Sequence, residues 1–101
     1  MIELTQETVI TEDQEKLAKY AKALSHPVRV YILELLESKK NVYSGDLAEE
    51  LPIARSTLSQ HIKELKDAGL IWGNSEHPKI RYQLNPKNWD DAKRIFTRFF
   101  W

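Results

Sequence analysis

Apolar positions recur at helical spacing through most of the chain, and the period falls to two only once. Thr11 and Gln14 have the spacing of a capping box. The run after Thr11, E-D-Q-E-K-L-A-K-Y-A-K-A-L, carries acids early and lysines late, as a helix dipole favours. It predicts a helix over 12–24 with Leu17, Tyr20, Ala21 and Leu24 as its apolar stripe. Ser25-His26-Pro27 breaks the run, and Pro27 suits the first position of a second helix, V-R-V-Y-I-L-E-L-L-E. Val28, Ile32, Leu35 and Leu36 mark one face, which Val30, Tyr31 and Leu33 widen, so this helix is expected at the centre of the core. Ser38–Val42 reads as a polar loop and Ser44 as the cap of a short third helix, with Leu47, Ala48 and Leu51 inward and Pro52 ending it. Residues 1–10 have no clear period; Ile2 and Leu4 among acids suit a short strand or a mobile arm.

The stretch from Pro52 to Leu70 is the most informative. Leu58, Ile62 and Leu65 give a fourth helix one greasy face, and Gly69 stands where a left-handed C-terminal stop belongs, with Leu70 as the contact after it. The opposite face carries Arg55, Ser56, Thr57, Ser59, Gln60 and Lys63. Short hydroxyl and amide side chains with basic ones are the chemistry that meets base edges and phosphates in a DNA major groove. A turn of only three or four residues before this helix suits a helix-turn-helix. After Gly69 the period becomes two: L-I-W-G and K-I-R-Y-Q-L flank the polar tip N-S-E-H-P, a β-hairpin placed as a wing. Asn85-Pro86 then starts a last helix whose stripe holds Trp89, Ala92, Ile95, Phe96, Phe99 and Phe100. The expectation is a mainly α winged helix-turn-helix with four helices, a hairpin wing and a C-terminal helix. It forms a single domain over 11–101, after an arm at 1–10.

Charge sharpens this picture. The net charge is zero, but residues 1–54 carry six Lys/Arg against ten Asp/Glu, while residues 55–101 carry nine against five. A protein that grips DNA with one half needs only that half basic. With no cysteine there is neither a disulfide framework nor a thiolate metal site, which suits a reducing cytoplasm. The acidic start M-I-E-L-T-Q-E does not read as a signal peptide, and no apolar run approaches a membrane span. No nucleophile elbow or glycine-rich phosphate loop occurs, so an enzyme is not expected.

Three phrases in order, A-L-S-H-P-V-R-V-Y-I-L, then A-R-S-T-L-S-Q-H-I-K-E-L-K-D-A-G-L-I, then K-I-R-Y-Q-L, resemble the ArsR/SmtB-like winged-helix regulators over roughly residues 15–100. The resemblance implies a homodimeric DNA-binding repressor, paired through its first and last helices. Many members sense a metal, with thiolates in the third helix or with Asp and His in the last. Here the first site reads Val42-Tyr43-Ser44-Gly45-Asp46, without sulfur, and the second keeps Asp90 and Asp91 with no His after His77. Neither site carries over. No metal and no cofactor are expected, and the effector is left open as organic, another protein, or none.

Arg55 and Gln60 are the expected base readers, each able to form a two-pronged bond worth about 1–3 kcal/mol of discrimination. Ser56, Thr57, Ser59 and Lys63 complete the contact face, with Ser56, Thr57 and Lys63 on phosphates. His61 either touches a phosphate or packs beside the preceding helix. Lys79 and Arg81 fall on one face of the second wing strand and are expected on a DNA backbone or minor groove, while Trp72 and Tyr82 pack the wing base. Leu17, Tyr20, Trp89, Ile95, Phe96, Phe99 and Phe100 are the expected dimer surface, because so aromatic an ending asks for a partner surface. Membrane contact fits less well, the last helix being short and only moderately basic. A second reading, a winged helix that docks a protein rather than DNA, rests on the zero net charge and the acidic first half.

Overall fold

The computed structural model describes residues 9–101. Most of the arm expected at 1–10 therefore lies outside the described residues. Five helices and three short strands follow in order: α1 (Glu12–Ala23), α2 (Pro27–Lys39), β1 (Val42–Tyr43), α3 (Ser44–Glu50), α4 (Arg55–Asp67), β2 (Ile71–Glu76), β3 (Lys79–Leu84) and α5 (Pro86–Phe100).

The starts and stops are set by local chemistry. Thr11 Oγ1 accepts from the Gln14 amide at 3.1 Å, and Gln14 Oε1 accepts from the Thr11 amide at 2.8 Å, closing the capping box before α1. At α2, His26 Nδ1 accepts from the Val28 amide at 3.1 Å, with Pro27 in the first turn. Asn85 caps α5 in the same way, its Oδ1 accepting from the Asn88 amide at 3.2 Å. α4 ends in a Schellman turn: the Gly69 amide donates to Lys66 O at 2.9 Å and the Leu70 amide to Leu65 O at 3.1 Å. Gly69 has φ +78°, the left-handed conformation this turn requires.

The core gathers Tyr20 and Ala23 of α1; Ile32, Leu33 and Leu36 of α2; and Leu47 of α3. Leu58, Ile62 and Leu65 of α4 join them, with Ala92 and Ile95 of α5. The strands add Val42, Ile71 and Tyr82. α2 is central, but not on all sides: Val30 and Tyr31 are exposed, and the Tyr31 hydroxyl donates to Glu50 Oε1 at 2.7 Å. On α1 the buried alanine is Ala23, not Ala21.

The sheet departs further from expectation. The segment read as a polar loop contributes β1, which pairs antiparallel with β3 through Val42↔Tyr82 and Tyr43↔Arg81. The strand order is β1-β3-β2. Ser44 does not cap α3; Tyr43 holds the cap position, its amide donating to Asp46 Oδ2 at 3.3 Å. The Ser44 hydroxyl instead accepts from the Ile80 amide at 3.2 Å, extending the β1–β3 seam. The wing tip is shorter than its polar residues suggested. Asn74, Ser75 and Glu76 belong to β2, in register with Arg81, Ile80 and Lys79, and only His77 and Pro78 form the turn. Asn74, Ser75 and Glu76 pair with β3 on one side of the strand and are exposed. Trp72, expected to pack the wing base, is about half exposed, and Tyr82 alone of the two is buried.

α1 and α5 lie together under a chain of ion pairs. Lys16 reaches Glu12 and Asp91, each at 3.3 Å, and Arg94 reaches Asp13 at 3.1 Å and Asp91 at 2.9 Å. Hydrogen bonds from Arg94 hold the carboxyls of Asp13 and Asp91 below the usual aspartate range.

A Cβ added at Gly69 would lie 2.8 Å from Asn88 Nδ2, the atom that donates to Gly69 O at 2.9 Å. The Gly69→Ala change should therefore lower stability by about 1–2 kcal/mol, read as a shift of the urea unfolding midpoint at unchanged slope.

Candidate nucleic-acid interface

The surface that could meet DNA is built on the outer side of α4. Leu58, Ile62 and Leu65 bind the helix to the core, and Arg55, Ser56, Thr57, Ser59, Gln60 and Lys63 are all exposed. The N-cap residue, Ala54, makes no side-chain capping bond, so no cap side chain occupies the first-turn N–H groups of α4, the turn that carries Arg55, Ser56 and Thr57. An uncapped helix start of this kind favours anions. Lys63 is paired one turn on with Asp67 at 2.7 Å, and that hydrogen bond raises its pKa above the ordinary lysine value.

His61 is set apart from these residues. It is only 8% exposed and faces inward, against the start of α2. Its Nδ1 lies 3.0 Å from Arg29 Nη1 and its ring 4.2 Å from that of His26. His61 packs inward, as one of its two expected roles had it, but against the start of α2 and not against α3, the helix that precedes it. Arg29 does more than meet His61. Its Nε donates to Ala23 O at 2.7 Å and its Nη2 to Ser25 Oγ at 3.1 Å and Lys22 O at 3.4 Å. The guanidinium thereby closes the carboxyl end of α1, where helix carbonyls lack partners and a cation is favoured. Sequence reading assigned Arg29 no role of its own, although a cation in the first turn of a largely apolar helix has to find acceptors.

The wing stands beside α4, and between them an open cleft is lined by Tyr43, Ser44, Arg55, Ser59, Lys79 and Ile80. Lys79 Nζ lies 4.6 Å above the Tyr43 ring, a cation–π contact that places the ammonium at the cleft. Arg81 Nε is 3.0 Å from Glu76 Oε2, and Tyr43 donates its hydroxyl to Glu76 Oε1 at 3.3 Å. Glu76 and Tyr43 were not singled out in the sequence; the pairing of β1 with β3 brings them to the wing.

The residues expected at a dimer surface fall into three groups, and Trp101 adjoins the last of them. Tyr20 and Ile95 are 2% and 3% exposed and belong to the chain's own core. Leu17, Trp89 and Phe96 pack partly against it. Phe99, Phe100 and Trp101 are 66%, 68% and 97% exposed. Phe100 stacks with Phe96 at 6.3 Å and meets Phe99 edge-on at 5.2 Å, so the rings form one patch. Among the described residues no group of three or more His, Cys, Asp or Glu could hold a metal ion, and no helix is long and apolar enough to cross a membrane.

A four-residue turn between α3 and α4, followed at once by a hairpin, defines a winged helix-turn-helix protein. Residues 24–71 match the model of a helix-turn-helix domain. The chain is 32% identical over 84 residues to the HTH-type transcriptional regulator YgaV of Escherichia coli, covering 83% of this chain and 82% of that protein. It is 38% identical over 78 residues to the transcriptional repressor SdpR of Bacillus subtilis, covering 77% and 86%. The crystal structure of the transcriptional repressor BigR from Xylella fastidiosa superposes with a TM-score of 0.64 at 30% identity, covering 89% of this chain and 97% of that one. The protein belongs to the ArsR-like winged helix-turn-helix family and is a DNA-binding transcription regulator.

Replacing Arg29 with Met keeps the aliphatic stem but orphans Ala23 O and His61 Nδ1. The expected loss is about 2–3 kcal/mol of unfolding free energy, measured by chemical denaturation with helix content as the signal.

Proposed function

We propose that residues 11–101 act as a repressor that binds an inverted-repeat operator as a homodimer. The observation that carries this reading is the outer face of α4, where five side chains with hydroxyl, amide or guanidinium groups stand exposed beside an uncapped helix start. Two such helices, related by a two-fold axis, enter successive major grooves about 34–36 Å apart. Arg55 and Gln60 read bases. Ser56, Thr57 and Lys63 hold α4 on the phosphates with Ser59 completing the contact face, and Lys79 and Arg81 hold the wing on the neighbouring backbone or minor groove. The dimer forms through α1 and α5, with Phe99, Phe100 and Trp101 at its centre. Large apolar surface of this kind is covered in a working protein.

The protein–protein docking reading is the alternative, and DNA binding at a selected site separates the two. With an operator chosen from a random library, Arg55→Ala should weaken specific binding by about 1–3 kcal/mol and relax preference at one base pair. Lys79→Ala should weaken all sequences alike and flatten the salt slope by about one unit. Unchanged operator binding in Arg55→Ala would remove α4 as the reading helix.

Sedimentation should give a dimer for the native chain and a monomer for the Phe99→Glu/Phe100→Glu double variant. Its helix content should be unchanged, since both rings lie outside the core.

A further inference from the structure

Two imidazoles and one guanidinium meet where α4 rests on the start of α2, and none of the three belongs to the face proposed to contact DNA. Each imidazole has its Nδ1 turned toward a group that can only donate. For His26 it is the Val28 amide at 3.1 Å, and for His61 the Arg29 guanidinium at 3.0 Å. Both Nδ1 atoms therefore accept a hydrogen bond. The rings lie 4.2 Å apart. Protonating His61 turns an acceptor into a donor facing a donor, and places a second positive charge against Arg29. The change acts at the joint between α2 and α4.

We propose that this joint is a proton-operated release, in which charging His61 unseats α4 from α2 and weakens DNA binding as the pH falls. The inference rests on the proposed reading of α4 as the recognition helix. The groups that act on the ring are His26 from the α1–α2 turn, Arg29 from α2 and Glu64 from α4 itself. The first two oppose the charged form and only Glu64 favours it; no charged group of α1, α3 or the wing is among them. Burial first, then His26 and Arg29, lower the His61 pKa from its ordinary value of 6.5. The sign follows from that direction. The seated arrangement is complete above the ordinary histidine value and is lost as the pH falls through the depressed one. This runs against the usual trend, since a histidine near phosphates gains charge in acid and strengthens DNA binding.

The test is operator affinity at constant ionic strength from about pH 7.5 to about pH 5.5, for the native chain and for His61→Gln, whose amide oxygen can still accept from Arg29. The native protein should lose about ten-fold in affinity for each unit by which the ring's pKa is lower in the DNA-bound form than in the free one, and His61→Gln should lose much less. Affinity that holds or rises in acid, or an equal loss in the variant, overturns the proposal. A second measurement needs no DNA: imidazole nitrogen shifts of His61 by NMR should titrate together with the amide shifts of Ser59, Gln60 and Lys63. A ring that titrates while α4 stays still also overturns it. If no duplex binds at any pH, the repressor reading fails, and the NMR titration still decides whether the joint opens.

Discussion

One guanidinium ties three helices together. Arg29 leaves the first turn of α2, closes the carbonyl end of α1 through Ala23 and Lys22, and reaches α4 at His61. Apolar packing alone leaves α4 some latitude, because side chains such as Leu58 and Ile62 can slide on their neighbours. Directed bonds to one planar cation remove that latitude. A helix that is to match a groove needs its rotation fixed as well as its burial, and the polar joint at the start of α2 fixes it.

The wing is held by a second, separate device. β1 joins β3 to the start of α3, and Ser44 bonds across the seam to Ile80. The wing and the helix pair therefore share a rigid base. The cations on this side of the molecule are partly occupied within the chain: Lys63 by Asp67, Arg81 by Glu76, and Lys79 by the face of Tyr43. Exposed pairs of this kind are weak in water. They keep the side chains extended along the surface.

The fold was largely legible because its signals are local. The Thr11/Gln14 box, the prolines at 27 and 86, and Gly69 each fix a helix end within a few residues. The spacing of Leu58, Ile62 and Leu65 sets which side of α4 faces out. What escaped the sequence depends on contacts distant along the chain. β1 is two residues long and exists only because β3 supplies its partners. His61 was ambiguous because its burial is decided by Arg29, 32 residues earlier. Tyr20 and Ile95 looked available to a second subunit because periodicity shows which side of a helix is apolar, and not which apolar residue its own chain has already covered. The exposed polar face of α4 was visible by composition, but the cleft beside it was not, since Tyr43 reaches it only through the sheet.

The strand order has one more consequence, for solubility. β3 is sandwiched, so β2 is left as the outer strand of the hairpin, with backbone groups available to any extended chain that drifts past. Its residues 73–76 are Gly, Asn, Ser and Glu, poor formers of an added sheet and ending in a charge. The opposite margin, β1, is too brief to template anything. When copies of this chain meet in a concentrated solution, such an edge does not knit them into fibrils.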